Sequence, residues 1–195
     1  EFRPAVSQKD DGILHILSVG RLSPIKNYET IIDAVARIRR RGTQVELTIV
    51  GGPATHAEEE YEARLRQRVD HHNLGAEVTF VGRVPHRCIK RFFDVADVFV
   101  NTSRTESLDK AVLEAMSCAV IPVTTNSAFC NVFGEYTDRL CCPSGGSEAL
   151  ADCIEKVHTA EDRAEIEYFV REQVKQLHSV RELIPRLTHL MRDLL

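Results

Sequence analysis

This 195-residue sequence has no excess of basic residues: 25 Lys plus Arg face 29 Asp plus Glu, a formal net charge of −4. A dedicated nucleic-acid binder carries a clustered surplus of cations, so nucleic acid is not an expected partner. No apolar run approaches the ~20 residues that a membrane-spanning helix requires. The polar stretch 1–11 lacks the apolar core of a signal peptide. No CxxC pair occurs among Cys88, Cys118, Cys130, Cys141, Cys142 and Cys153, which leaves zinc ligation without support. These read instead as reduced thiols packed as small hydrophobes, the state of a cytoplasmic protein. The GxGxxG and GxxxxGK[ST] fingerprints are absent, as is any Ser/His/Asp or Cys/His set at a diagnostic spacing.

The residues that are present describe one globular domain. With 43% hydrophobic and 28% charged residues the composition is that of an ordinary folded protein, and the length suits one well-buried core rather than two. Six short apolar runs predict strands: His15–Val19, Val45–Val50, Val78–Val81, Asp97–Asn101, Val120–Thr124 and Arg139–Cys142. They lack in/out alternation, as parallel strands covered on both faces do. Amphipathic stretches fill the gaps at Tyr28–Arg41, His56–His72, Cys88–Val95, Asp109–Ser117, Ser147–His158, Ala160–Leu177 and Val180–Leu194. In the first, Ile31, Ile32, Val35 and Ile38 form one stripe, Gly42 follows as a stop, and Arg39, Arg40 and Arg41 suit the negative end of the dipole. Strand and helix in alternation imply a Rossmann-like, doubly wound, mostly parallel six-stranded α/β sheet. Residues 1–12 read as a linker and 160–195 as a helical tail on a single domain, 1–195.

Open α/β sheets bind ligands beyond the carboxyl ends of their strands, where loops enter helix N-termini. The loop Gly20–Lys26 has a glycine at the strand end and two cations, Arg21 and Lys26, a grouping that suits a diphosphate. Two solvated surface cations would read equally well. The strand at Val45–Val50 ends in Gly51, Gly52 and Pro53, a common feature of this architecture. The third loop leaves Asn101, passes Glu106, Ser107 and Leu108, and enters a helix at Asp109-Lys110, whose backbone N–H groups could receive a phosphate or a sugar hydroxyl. Glu106 before that helix and Glu114 inside it could accept hydrogen bonds from a sugar, or be a loop acid and a solvated helix position. His71-His72 reads as a polar helix cap. Arg83, His86, Arg87, Lys90 and Arg91 read as a solvated face, with an acidic surface or membrane headgroups as the other reading.

Taken in order, the stretches LSVGRLSPIKNYETIIDAVARI, ELTIVGGP, VTFVGRVP, FFDVADVFVNTSRTESLDKAVLEAMSCAVIPVTTN and CCPSGGSEALADCI, between residues 16 and 154, resemble the C-terminal domain of glycosyltransferase family four, retaining enzymes of the GT-B fold. The resemblance implies that Arg21 and Lys26 hold the donor diphosphate and stabilise it as leaving group. It implies that Glu114 hydrogen-bonds the nucleotide ribose and that Glu106, the first acid of the paired-glutamate motif, lies near the donor sugar. Gly20, Gly52, Ser107, Leu108, Asp109 and Lys110 would then line the donor, and no metal would be needed. The implied reaction moves a hexose-type unit from a UDP- or GDP-sugar to a glycan or lipid-linked acceptor. In such enzymes the acceptor site lies on the other half of the fold, so this region alone is expected to be inactive. Peripheral contact with the inner face of a membrane would accompany a lipid-linked acceptor.

The sequence also departs from the family. Ser107-Leu108-Asp109 stands where a glycine, an aromatic residue and a second glycine are usual, Ala119 replaces a glycine, and Ser127-Ala128 replaces a frequent glycine pair. Each added Cβ crowds a close backbone approach to the donor. Two other readings follow: a GT-B-fold nucleotide-sugar 2-epimerase, and a non-catalytic interaction module whose donor site has degenerated.

Overall fold

The computed structural model describes residues 11–142 and 146–178; the expected helix Val180–Leu194 and nearly all of the expected linker lie outside them. Strands and helices alternate as β1 (Leu14–Val19), α1 (Tyr28–Arg40), β2 (Val45–Val50), α2 (His56–His71), β3 (Val78–Gly82), α3 (Lys90–Phe93), β4 (Val98–Asn101), α4 (Lys110–Ser117), β5 (Ile121–Thr124), α5 (Thr137–Leu140), α6 (Gly146–His158) and α7 (Arg163–His178). The sheet runs β3-β2-β1-β4-β5 and every pairing is parallel. β1 and β2 match without a slip, from Leu14 opposite Val45 to Val19 opposite Val50.

The missing alternation has the expected cause. All residues of β4 and β5 are buried, because helices cover both faces of the sheet. α1 packs against α2 and α6, and α4 packs against α7. The stripe Ile31, Ile32, Val35 and Ile38 is wholly buried. Removing such side chains from water stabilises the fold by roughly 1.5–3 kcal/mol each. α1 then stops at Gly42, whose φ of 98° suits a residue with no Cβ.

The sheet has five strands, not six. Arg139–Cys142 was expected to be the sixth, but Thr137–Leu140 coils into α5 and only Cys141 makes an isolated parallel bridge, to Thr124. Polar side chains account for the difference. The Thr137 hydroxyl donates to the carbonyls of Cys130 (2.6 Å) and Gly134 (2.8 Å), and the Arg139 guanidinium forks onto Asp162 at 2.6 and 2.9 Å. Those anchors hold the segment in a turn, and the ladder is left with a single residue. The expected helix Cys88–Val95 is likewise broken, into a tight turn at His86–Cys88 followed by α3.

Candidate functional site

β1, β2 and β3 step outward in one direction, and the chain then returns to lay β4 on the other side of β1. β1 and β4 therefore flank the topological switch point of the sheet, and this architecture takes its ligands in the crevice at the carboxyl edge there. The loop after β1 (residues 20–27) and the loop after β4 (residues 102–109) are tied together there. The Thr102 hydroxyl donates to the carbonyls of Lys26 (2.8 Å) and Asn27 (2.9 Å), and the Arg104 N–H donates to the Ile25 carbonyl at 2.9 Å. Asn27 turns the chain into α1 with a left-handed backbone, φ 52° and ψ 47°.

Neither of the expected phosphate cations is free. The Lys26 ammonium is ion-paired with the Asp109 carboxylate, and Asn101 Nδ2 donates to the same oxygen at 3.0 Å. The other Asp109 oxygen caps α4, facing the Ala111 N–H at 3.5 Å. Arg21 Nε lies 3.2 Å from Glu58 Oε1. Glu58 is itself a helix cap, since its second oxygen accepts from the Ala54 N–H at 2.6 Å while Thr55 Oγ1 accepts from the Glu58 N–H at 3.3 Å. Arg21 remains largely exposed, with 59% of its side chain open to solvent, so its remaining donors can still reach a ligand.

The glycines shape a cleft beside Arg21. A Cβ on Gly51, whose φ is 139°, would fall 1.8 Å from the Gly20 carbonyl oxygen, so the chain leaving β2 can lie this close to the chain leaving β1 only if that residue is glycine. A Cβ on Gly20 would meet the Tyr28 hydroxyl at 3.1 Å. That phenol is buried, and burial pushes its pKa above the usual range. Gly20, Gly51, Gly52, Val84 and Ile89 line a cleft of about 410 Å³ that Arg21 and Arg83 also border. This volume falls in the range of small-molecule sites. A larger hollow of about 530 Å³, between Tyr136 and the α7 residues Tyr168 and Phe169, contains none of the expected site residues.

Glu114 is buried on α4, where its Oε1 meets His86 Nε2 at 2.8 Å and Lys110 Nζ at 3.3 Å. Glu106, Ser107 and Leu108 are exposed in the loop ahead of α4. Glu106 has no hydrogen bond or ion pair among the described residues. The Ser107 carbonyl accepts from Asn126 Nδ2 at 2.9 Å. No group of three or more His, Cys, Asp or Glu side chains among the described residues is placed to hold a metal ion.

Residues 1–173 match the family described as glycosyl transferases group 1. The chain belongs to that family. Among curated relatives, the amylovoran biosynthesis glycosyltransferase AmsK of Erwinia amylovora is 29% identical over 76% of this chain and 37% of its own length. A phosphatidylinositol N-acetylglucosaminyltransferase component from Arabidopsis thaliana is 27% identical over 64% of this chain and 26% of its own. The chain thus spans well under half the length of these relatives. Among solved structures, sucrose-phosphate synthase from Thermosynechococcus elongatus superposes with a TM-score of 0.80 at 26% identity, over 93% of this chain and 45% of that one. HepE from Anabaena, in complex with UDP and glucose, gives 0.81 at 21% identity, over 93% and 49%.

Within this group 1 glycosyltransferase domain, several residues play parts their positions in sequence did not reveal. Asp109 was expected to contribute backbone N–H groups, yet its carboxylate is the partner of Lys26. Arg83, His86 and Arg87 are exposed, yet two of them also have partners: His86 meets Glu114, and the Arg83 guanidinium donates to the Pro53 carbonyl. Lys90 pairs with Asp94 within its own helical turn. His72 is the C-cap residue of α2, and its ring meets the Asp33 carboxylate of α1 at 2.9 Å. Ala119 follows the C-terminal end of α4, the end away from the crevice, with φ 60°. Its departure from glycine therefore strains the backbone and does not crowd a donor. The Ser127 segment does adjoin the site loop, because Asn126, which caps it, also holds Ser107.

Proposed function

We propose that this domain is the nucleotide-sugar donor half of a retaining glycosyltransferase that needs no metal and moves a hexose-type unit from a UDP- or GDP-sugar to a glycan or lipid-linked acceptor. The observation that carries this reading is the Lys26–Asp109 pair, which brings the loop after β1, the loop that also bears Arg21, to the N-terminus of α4 at the sheet reversal. HepE, a structural neighbour, has been crystallised with UDP and with UDP-glucose, which supports a nucleotide sugar as the ligand class.

In this reading the diphosphate lies between Arg21, Lys26 and the first N–H groups of α4, and the cleft along Gly20, Gly51 and Val84 takes the nucleoside end. The guanidinium offers a fork, the ammonium a point charge, and the helix end a fixed dipole. As the sugar–phosphate bond breaks, negative charge grows on the departing diphosphate. Preorganised groups of this kind stabilise such charge by several kcal/mol. Glu114 accepts a ribose hydroxyl, and the unpaired Glu106 faces the sugar. The acceptor is held by the other half of the fold, so transfer requires that half; turnover by this domain alone would refute the division of labour.

Calorimetric titration with UDP, GDP and ADP tests the reading. Binding of one of them at sub-millimolar Kd supports it and names the base. No binding of any at several millimolar favours the second reading, a non-catalytic module. That alternative draws on the Asp109 carboxylate, which already occupies Lys26.

A further inference from the structure

Cys130 and Cys141 present their sulfurs to each other at 2.9 Å. That is well inside the about 3.5–4.0 Å at which even carbon atoms pack without a bond. A disulfide needs about 2.05 Å, so closure asks for a movement of less than about 1 Å. The approach is built into the backbone. Thr137 ties both residues: its hydroxyl donates to the Cys130 carbonyl at 2.6 Å, and its own carbonyl accepts from the Cys141 N–H at 2.8 Å. Cys130 closes the helical turn Ser127–Phe129, and Cys141 is fixed from the other side by its bridge to Thr124. The two thiols are thus held together by three separate anchors, none of which involves sulfur.

Accessibility differs within the pair. Cys130 is half-buried and Cys141 is buried. Burial and the neighbouring Cys130 sulfur push the Cys141 thiol up to about 12, so Cys141 is not the thiol that attacks first.

We propose that Cys130 and Cys141 form a reversible dithiol–disulfide site, oxidised by small-molecule disulfides. The Cys130 thiolate attacks one sulfur of the disulfide and expels a thiolate, leaving a mixed disulfide on Cys130. Cys141 then attacks the Cys130 sulfur, gives up its proton, and expels the second thiolate. The two protein thiols lose two protons and two electrons, and the small disulfide becomes two thiols. The site reaches the loop between β4 and α4 through Asn126. That carbonyl receives the Cys141 thiol at 3.7 Å, and its side chain donates to the Ser107 carbonyl.

The test is exposure of the folded full chain to graded mixtures of oxidised and reduced glutathione, a quench with N-ethylmaleimide, and mass spectrometry. Two thiols should escape alkylation together and recover with dithiothreitol. Trypsin cleaves after Arg139, so the bond should appear as a cross-link between the fragments on either side of that residue. It should persist in Cys142→Ser and vanish in both Cys130→Ser and Cys130→Ala, with circular dichroism showing that the variants remain folded. Six alkylated thiols throughout, a glutathione adduct on Cys130 that never resolves, or a cross-link that survives loss of Cys130 would each overturn the proposal.

Discussion

Lys26, in the loop after β1, is paired with Asp109, the residue that caps α4, although 83 positions separate them in the chain. The pair sits where the proposed diphosphate would meet its cation, so a donor must either share the ammonium with this carboxylate or displace it. Asp109→Asn separates these roles. The amide oxygen can still cap α4 through the Ala111 N–H, while the competing charge disappears. We expect UDP to bind the variant about tenfold more tightly, ~1.4 kcal/mol. That is a fraction of the ~4 kcal/mol that unit charges ~4 Å apart exchange near a protein surface. Lys26→Ala should weaken binding instead. Weaker binding by Asp109→Asn would mean that the carboxylate positions Lys26 and does not compete for it.

Glu114 gives a second handle, because it is buried and its Oε1 is held by His86 and Lys110. If its carboxylate accepts a ribose hydroxyl, Glu114→Gln should weaken UDP binding about tenfold, within the range for a hydrogen bond to a charged group. The same change should leave 2′,3′-dideoxy-UDP nearly unaffected. Titrating both ligands against both proteins checks this, and equal losses for the two nucleotides would remove Glu114 from the ribose.

The ends of β2 and the stripe on α1 were legible because they depend on local periodicity: Val45–Val50 and Ile31, Ile32, Val35 and Ile38 lie where the pattern puts them. The false strand at Arg139–Cys142 shows the limit of that method. Its apolar residues are real, but the Thr137 hydroxyl turns back to the Cys130 carbonyl, and Arg139 finds Asp162, 23 positions away and beyond the reach of a local pattern. The candidate site divides in the same way. Arg21 and Lys26 in a loop and Glu114 in a helix were visible as residue types, whereas their pairings with Glu58, Asp109 and His86 join different connections of the chain and follow only from the folded sheet. Gly51 was seen only as a strand-end glycine, and its necessity lies in the Gly20 carbonyl pressed against it.

Asp33 links the fold to pH. Burial raises its pKa, but hydrogen bonds from Arg68 (2.5 and 2.6 Å) and His72 outweigh that, and the net shift is downward. A carboxyl whose folded pKa is depressed contributes stability above its unfolded pKa and loses it as pH falls through the folded value. Asp33→Asn should therefore lower stability at pH 7 by about 1 kcal/mol, the upper end for an ion pair still touched by solvent. The gap should shrink as pH falls through the depressed folded pKa, beneath the ordinary aspartate range. Denaturant melts from pH 7 down to the most acidic pH at which both proteins still fold measure the gap; a gap that stays constant through the acid end would show that the amide disturbs packing and not charge.

Ala119 offers a gain in stability. Its φ of 60° places an L side chain in the left-handed region directly after the Cys118 cap of α4, where glycine is the usual solution. Holding alanine there costs roughly 1–2 kcal/mol. Glycine would relieve that strain but add roughly 0.4–1 kcal/mol of freedom to the unfolded chain. The net expectation for Ala119→Gly is a stabilisation of about 0.5–1 kcal/mol, or about 2 °C in Tm for a chain of this size. Nucleotide affinity should not change, because the residue lies at the end of α4 away from the crevice. Calorimetric melting with a parallel UDP titration separates the two effects. A tighter Kd without a higher Tm would return Ala119 to the donor site, and a higher Tm alone would confirm that its strain belongs to the helix end.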